Sequence, residues 1–209
     1  MNPVSSPYEA GGRSRQKLRT RDALVAAART LVGEGATPTV EEAAERAGIS
    51  RTTAYRYFPN QRSLLVAAHP ETAATTLLPD GVSSDPQERL DAVATSFIRL
   101  IIDTEAAQRT MLRLSLEQDL LARGGLPLRQ GRAIAWISEA LQPLQGRLTD
   151  EEIHRLALAV RSAIGVEALV WLTDIGGLSR EDAAESMRWS AQSLLSAALN
   201  AGPPPTAAG

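Results

Sequence analysis

Hydrophobic residues in the first third of the chain recur at the three- and four-residue spacing of amphipathic helices. This spacing predicts helices over residues 20–34, 40–47 and 51–58, and a further helix that Asn60 caps. The apolar positions on their inner faces are Leu24, Ala27, Ala28, Leu31 and Val32, then Val40, Ala43, Ala44 and Ala47, then Leu64, Leu65 and Ala68. Small helices sharing one core are therefore expected at this end.

Capping residues predict where these helices begin and end. Thr39 and Glu42 stand three residues apart, as in a capping box, so a helix should begin after Thr39. Gly48 ends it, because glycine tolerates the left-handed conformation of a sharp turn, and Ser50 caps the next helix. Pro59 stops that helix. The apolar residues assigned to core packing at the two corners are Ile49 and Phe58.

The remainder of the chain is also predicted to be helical, without a strand signal. Turn-forming residues interrupt the periodicity over residues 69–85, where Pro70 predicts a kink or an early stop. The helices expected beyond it cover residues 86–103, 105–122, 127–145, 150–173 and 179–200. The predicted fold class is all-α. Its parts are a flexible basic arm at 1–15, a three-helix helix-turn-helix domain at 16–68, a connecting segment at 69–85, a second helical domain at 86–200 and a disordered tail at 201–209.

The stretch from Glu151 to Leu172 is apolar nearly all round. A membrane span is one interpretation, but Arg155, Arg161 and Glu167 interrupt it, and each charge near a bilayer centre costs about 2.5–3.5 kcal/mol. Burial between protein helices is therefore preferred. The last helix shows an apolar face, and two such helices from each of two chains can form a four-helix bundle, so we expect a homodimer. The residues of that face are Met187, Ala191, Leu194, Leu195 and Ala198.

Charge and cysteine content narrow the class of protein. Net charge is −2, but residues 1–68 carry +4 and the rest −6, so the basic part coincides with the helix-turn-helix. The chain contains no cysteine, which excludes disulfides and thiol chemistry, and no amino-terminal hydrophobic stretch resembles a signal peptide. Cytoplasmic localisation is expected.

The helix-turn-helix points to double-stranded DNA. Its second helix would enter the major groove, where Arg51 can pair with guanine, and Thr52 and Thr53 can bond to bases or touch a thymine methyl. Tyr55 can reach a base or a phosphate. The residues assigned to phosphate are Arg56 and Tyr57. The alternative is an exposed helix face without a partner.

Alternating cations precede the first predicted helix. A flexible arm of this kind can follow the DNA backbone or enter a minor groove. A solubilising tail is the equal alternative, because runs of charge are usually solvated. The cations are Arg13, Arg15, Lys17, Arg19 and Arg21.

This pattern resembles the DNA-binding domain of the TetR family of bacterial transcriptional regulators, over about residues 16–68. The resemblance rests on Thr39, Ala43-Ala44, Gly48-Ile49-Ser50, the run Thr53-Ala54-Tyr55-Arg56-Tyr57-Phe58, Asn60 and Leu64. It implies that the helix beginning near Ser50 reads bases and that the Thr39 and Tyr57 positions hold phosphates. Gln61 stands where the family usually has a phosphate-binding lysine and is assigned to DNA at that position, although the exchange weakens one expected phosphate contact. Ala54 replaces the usual leucine.

The resemblance further implies a ligand-responsive repressor that binds a near-palindromic operator as a homodimer, paired through its last two long helices. It also implies an unidentified small-molecule effector enclosed by the second domain. Side chains suited to the wall of an effector pocket are Met111, Leu112, Leu116, Trp136, Ile137, Ile164, Glu167 and Trp171. Ordinary core packing is the alternative for this set.

Other functions find little support in the sequence. It has no nucleophile elbow, P-loop or dinucleotide-binding glycine motif, so we predict neither an enzyme nor a cofactor. His69 and His154 are the only histidines, which argues against a metal site. The remaining alternative is a dimeric helical small-molecule-binding protein without specific DNA recognition.

Overall fold

The computed structural model describes residues 7–116 and 131–205, which form helices and connecting turns. Parts of two predicted helices, residues 117–122 and 127–130, lie outside the described residues, as do residues 1–6 of the predicted arm and 206–209 of the predicted tail.

Four helices form an amino-terminal domain, called the head below. They are α1 (Pro7–Gly33), α2 (Val40–Arg46), α3 (Arg51–Tyr57) and α4 (Gln61–Ala68). They enclose a core that includes Leu24, Ala28, Val40, Ala44, Ala54, Phe58 and Leu64. The predicted arrangement of small helices around one core is confirmed.

The predicted caps are confirmed atom by atom. The backbone N–H of Glu42 donates to Thr39 Oγ1 at 3.2 Å, and the backbone N–H of Thr39 donates to Glu42 Oε2 at 2.7 Å, which completes the capping box. Gly48 has φ +66°, and the Ser50 and Asn60 side chains cap α3 and α4. These contacts fix the angle between α2 and α3.

The bounds of helix α1 differ from the predicted ones. It begins at Pro7 rather than near Thr20, so the arm predicted to be flexible over residues 1–15 is helical from Pro7 onward. A proline in the first turn costs no hydrogen bond, and adding residues to an existing helix is much easier than nucleating one. The Gly11-Gly12 pair within this extension costs only about 1 kcal/mol per residue.

The connecting segment is not a continuous helix. Helix α4 ends at Ala68, and a single 3-10 turn, Pro70–Ala73, follows, which confirms the stop predicted from Pro70. Farther along, the segment is attached to the second domain: the indole N–H of Trp136 donates to the Thr75 carbonyl at 3.0 Å. The Thr76 hydroxyl also donates to a carboxylate of that domain, at 2.8 Å.

The second domain, called the body, contains α5 (Pro86–Asp103), α6 (Glu105–Leu116), α7 (Arg132–Ala140), α8 (Asp150–Ala163), α9 (Val166–Val170) and α10 (Arg180–Ala201). Helices α5, α7, α8 and α10 pack on one another around a single core. At its centre Phe97 and Trp136 meet edge to face, with ring centroids 6.0 Å apart.

The helix predicted over residues 150–173 is interrupted. It breaks at Ile164-Gly165, continues as α9 and ends in a π-helical turn, Trp171–Ile175. A Cβ at position 165 would lie 1.8 Å from Arg161 Nη1, so glycine there leaves room for that guanidinium. Asp150–Ile175 is long and apolar enough to cross a membrane by length and composition alone. Leu156 and Leu169 are fully buried, as in the core helix that the sequence favoured.

The apolar face of α10 does not point away from the chain. Ala183, Met187, Ala191, Leu195 and Ala198 are buried in the body's own core. The face that the sequence assigned to packing between two chains is therefore used within one chain, because α5 and α8 cover it. Leu194 is half-buried against the same core.

A small contact, called the head–body joint below, connects the two domains away from the connecting segment. Met111 of α6 is fully buried against Val32, Leu65 and Val66 of the head. Close by, the Arg113 guanidinium donates to the Thr37 hydroxyl at 3.1 Å. Any displacement of α6 therefore reaches the head directly.

Candidate nucleic-acid interface

Helix α3 displays most of the residues that the sequence assigned to DNA. Arg51, Thr52, Tyr55 and Arg56 are exposed, whereas Ala54 is fully buried beneath them. Tyr55 keeps 42% of its surface accessible. The structure thus brings donors and an aromatic ring together on one outward helix face.

Glu41 holds two of these side chains, and the sequence did not single it out. The Tyr55 hydroxyl donates to Glu41 Oε1 at 2.7 Å, and Arg51 Nη2 lies 3.2 Å from the same oxygen. The hydrogen bond from Tyr55 is the largest cause that lowers the pKa of Glu41, and it correspondingly raises the pKa of Tyr55. Glu41 is therefore a charged acceptor within the predicted reading surface.

A cleft of about 410 Å³ separates α1 from α3. Its lining residues are Gln16, Lys17, Thr20, Thr53, Arg56 and Tyr57. Lys17, a cation predicted to lie in a flexible arm, is thus brought to one concave surface with Arg56 and Tyr57, which were predicted to bind phosphate. Lys17 reaches this surface from helix α1. The side chain of Arg13 lies outside the described residues.

Several hydroxyls assigned to DNA already serve as caps. Ser50 Oγ accepts from the backbone N–H of Thr53 at 3.3 Å and donates to Thr53 Oγ1 at 2.9 Å. The Thr39 hydroxyl donates to Glu42 at 2.9 Å. These side chains remain at the surface, so their contacts with DNA stay a prediction.

Gln61 occupies a different environment from a phosphate ligand. Its Nε2 donates to the carbonyls of Thr37 and Pro38 at 3.0 and 3.1 Å, and the side chain is half-buried. Both amide hydrogens are used, so in this position the side chain has no donor for a phosphate. It joins the start of α4 to the turn before α2. Gln61 therefore has a structural role in the head, and the role in DNA binding predicted for it stays a prediction.

Other head cations hold the helices together. The Arg21 guanidinium lies 5.5 Å from the centre of the Phe58 ring, a cation–π distance. Arg46 makes two hydrogen bonds to Glu34, at 3.2 and 3.1 Å. Arg29 donates to the Ala68 carbonyl at 3.3 Å and ties α1 to the end of α4. Of the five predicted arm cations, Arg21 is thus engaged in packing.

Among the described residues, the eight residues suggested for an effector pocket lie in different environments. The four that are buried in the body core or at the head–body joint are Met111, Trp136, Ile137 and Ile164. Leu112 is half-buried against the core, while Leu116 and Trp171 are exposed by 75% and 64%. Glu167 is exposed and pairs with Arg161 at 3.3 Å.

A cleft of about 360 Å³ does open on the body beside this pair. Its walls are formed by Glu71, Gly131, Ile134, Leu158, Arg161, Ser162 and Glu167. The Arg161 guanidinium, with only 15% of its side chain exposed, also lies 5.3 Å from the centre of the Phe97 ring. Of the eight suggested residues, this cleft contains Glu167.

Comparison with known proteins supports the assignment of the head. Residues 23–68 match the family model described as bacterial regulatory proteins of the TetR family. The matched range begins within α1 and ends with α4, so it spans the helices that carry the candidate interface. No curated protein matches the sequence.

Solved structures share the whole fold. A TetR transcriptional regulator from Rhodococcus sp. RHA1 has a TM-score of 0.58 at 22% identity, over 88% of this chain and 98% of that chain. A SmeT–triclosan complex gives 0.54 at 17% identity, over 91% and 100%. A putative TetR-family regulator from Mesorhizobium loti MAFF303099 gives 0.53 at 17%, over 86% and 96%. At these identities the likeness describes the fold.

Proposed function

We propose that this chain, which belongs to the TetR family of bacterial transcriptional regulators by its amino-terminal domain, is a cytoplasmic repressor that binds a palindromic operator as a homodimer and responds to a small-molecule effector. Family membership rests on the match of residues 23–68.

One observation carries the proposal of specific DNA recognition. Helix α3 presents Arg51, Thr52 and Tyr55 outward on a rigid base, and the cleft beside it adds Lys17 and Arg56. Base-edge donors flanked by backbone-directed cations are the two kinds of contact that a major-groove reader combines. A solubilising surface needs only charge, not an exposed tyrosine between hydrogen-bonding side chains.

The homodimer is supported by exposed aromatic and aliphatic side chains on the body. Trp189 on α10 is 72% exposed, and Trp171 and Ile175 in the π-helical turn are 64% and 67% exposed. Since the inner face of α10 is already buried, these outer side chains are apolar surface that a second copy can cover. Two heads held by such a dimer can contact half-sites one helical turn apart, about 34–36 Å.

The effector proposal rests on the body cleft beside Arg161. A guanidinium that is largely shielded from water but forms one wall of a cleft can orient an anionic or carbonyl group of a ligand. A ligand that favours one arrangement of the body helices changes operator affinity by its differential affinity for the two arrangements. The head–body joint provides the mechanical route from α6 to the head.

Selection of random duplex DNA by the purified protein, at about 0.15 M salt, tests the central claim. Sequencing of the retained DNA should show an enriched palindrome with half-sites about one turn apart. Alanine at Arg51 should abolish enrichment while helical content and oligomeric state stay unchanged. No enrichment from a folded dimer would contradict the proposal and favour a helical ligand-binding protein without specific DNA recognition.

A further inference from the structure

The carboxylate of Glu41 sits where a DNA-binding surface ordinarily excludes negative charge. It lies in the first turn of α2, next to the reading helix, with 31% of its side chain exposed. One of its oxygens, Oε1, accepts the Tyr55 hydroxyl at 2.7 Å and lies 3.2 Å from Arg51 Nη2. Glu41 therefore both repels phosphates and holds two side chains of the predicted reading helix.

We propose that Glu41 is a specificity-determining residue, which withholds Tyr55 and Arg51 from DNA that lacks the correct bases. This inference rests on the proposed DNA-binding function. On arbitrary DNA the available acceptors are mainly phosphates, and Glu41 competes with them for both donors while repelling the backbone. At the operator, base acceptors aligned with α3 replace the carboxylate, so release occurs where the bases match.

The geometry favours this role over a purely structural one. Helix α2 already has its amino-terminal capping box from Thr39 and Glu42, so Glu41, whose carboxylate accepts only from its own backbone N–H in that turn, is not the capping residue. Arg51 remains 74% exposed despite the ion pair, and such an exposed pair is weak enough to exchange partners. The carboxylate therefore holds Tyr55 and Arg51 only until stronger acceptors are available, and it does not hold them permanently.

The experiment compares Glu41→Gln with Glu45→Gln, which removes the same charge from the same helix. Glu45 is exposed and carries no ion pair or hydrogen bond from its side chain among the described residues. Affinities for the selected operator and for a scrambled duplex of equal length are measured at about 0.15 M salt. Their ratio is the discrimination of each variant.

Glu41→Gln should raise affinity for scrambled DNA and reduce discrimination by about fivefold or more, the low end of one base-specific contact. Glu45→Gln should change both affinities by the same factor and leave the ratio unaltered. Equal ratios for the two variants, from a wild type that does select an operator, would overturn the role of Glu41. Failure of the wild type to select any sequence would instead overturn the proposed function.

A double-mutant cycle identifies the side chain through which Glu41 acts. Tyr55→Phe removes the donated hydroxyl and alters α3 rather than α2, so it also provides a second variant if Glu41→Gln fails to fold. The effects of Glu41→Gln and Tyr55→Phe on discrimination should be non-additive, whereas Glu45→Gln and Tyr55→Phe should be additive. Additivity of the first pair would overturn the proposal, because a merely structural Glu41 lowers stability without coupling to Tyr55.

Discussion

Replacing Gln61 by alanine distinguishes a structural residue from a phosphate ligand. The substitution removes two half-buried hydrogen bonds, of 3.0 and 3.1 Å, to the carbonyls of Thr37 and Pro38. At a net 0.5–1.5 kcal/mol each, the free energy of unfolding should fall by about 1–3 kcal/mol. For a chain of this size, each kcal/mol corresponds to a Tm decrease of about 2–4 °C. Urea and thermal unfolding, followed by circular dichroism, measure both quantities.

The same variant should leave the operator affinity of the folded protein unchanged, because the Gln61 amide is engaged within the head. Affinity is the measurement because Gln61 carries no charge. Arg56→Ala is the opposite control: Arg56 lines the α1–α3 cleft and is exposed, so loss of this cation should lower affinity and reduce the slope of log K against log salt by about 1, without measurable loss of stability. A Gln61→Ala protein with wild-type stability and reduced operator affinity would refute the reasoning and restore Gln61 as a phosphate ligand.

Three further results are expected. Trp189→Ala should weaken the dimer about tenfold or more by sedimentation equilibrium, since Trp189 is 72% exposed in one chain; an unchanged dissociation constant excludes it from the interface. Met111→Ala should lower the free energy of unfolding by about 2–5 kcal/mol, because it leaves a cavity at the head–body joint, and head and body should then unfold at different urea concentrations. Coincident transitions would argue against coupling of the two domains at this joint. Hydrogen bonds from Arg109 and Thr173 lower the pKa of Asp174 to about 2, below an unfolded value of about 3.9. The stabilisation that the charged Asp174 provides is therefore present above about pH 4 and is lost as the pH falls toward 2. Arg109→Met should remove that pH dependence in urea titrations; an unchanged profile would assign it to other carboxylates.

Local sequence signals predicted the head well because its helix boundaries depend on neighbouring residues. The Thr39 and Glu42 pair, Ser50, and Gly48 at φ +66° each act within a few positions of themselves. The break after α4 was equally local, since Pro70 cannot continue a helix whatever lies around it. The all-α class and the helix boundaries of α5 and α10 followed from periodicity in the same way.

What the sequence did not reveal depends on distant contacts. Glu41 meets Tyr55 across fourteen positions, and Gln61 reaches Thr37 across twenty-four, so neither partner could be read from spacing. The place of the Arg161 guanidinium beside Gly165 depends on side-chain packing, which periodicity does not contain. The suggested effector residues were mostly apolar, and among the described residues packing places them in the core, at the joint and at the surface.

The way in which the head is fastened to the body restricts its movement. It is fastened in two places, by the chain itself at His69-Pro70 and by the packing of Met111 against Val32. A rigid object held at two points keeps one easy rotation, about the line that joins them. A displacement of the body at the joint then turns the head about this line. In the proposed symmetric dimer two such angles, equal by symmetry, would set the separation of the two α3 helices, so a small turn at each joint would change the spacing of the DNA half-sites that the pair can fit.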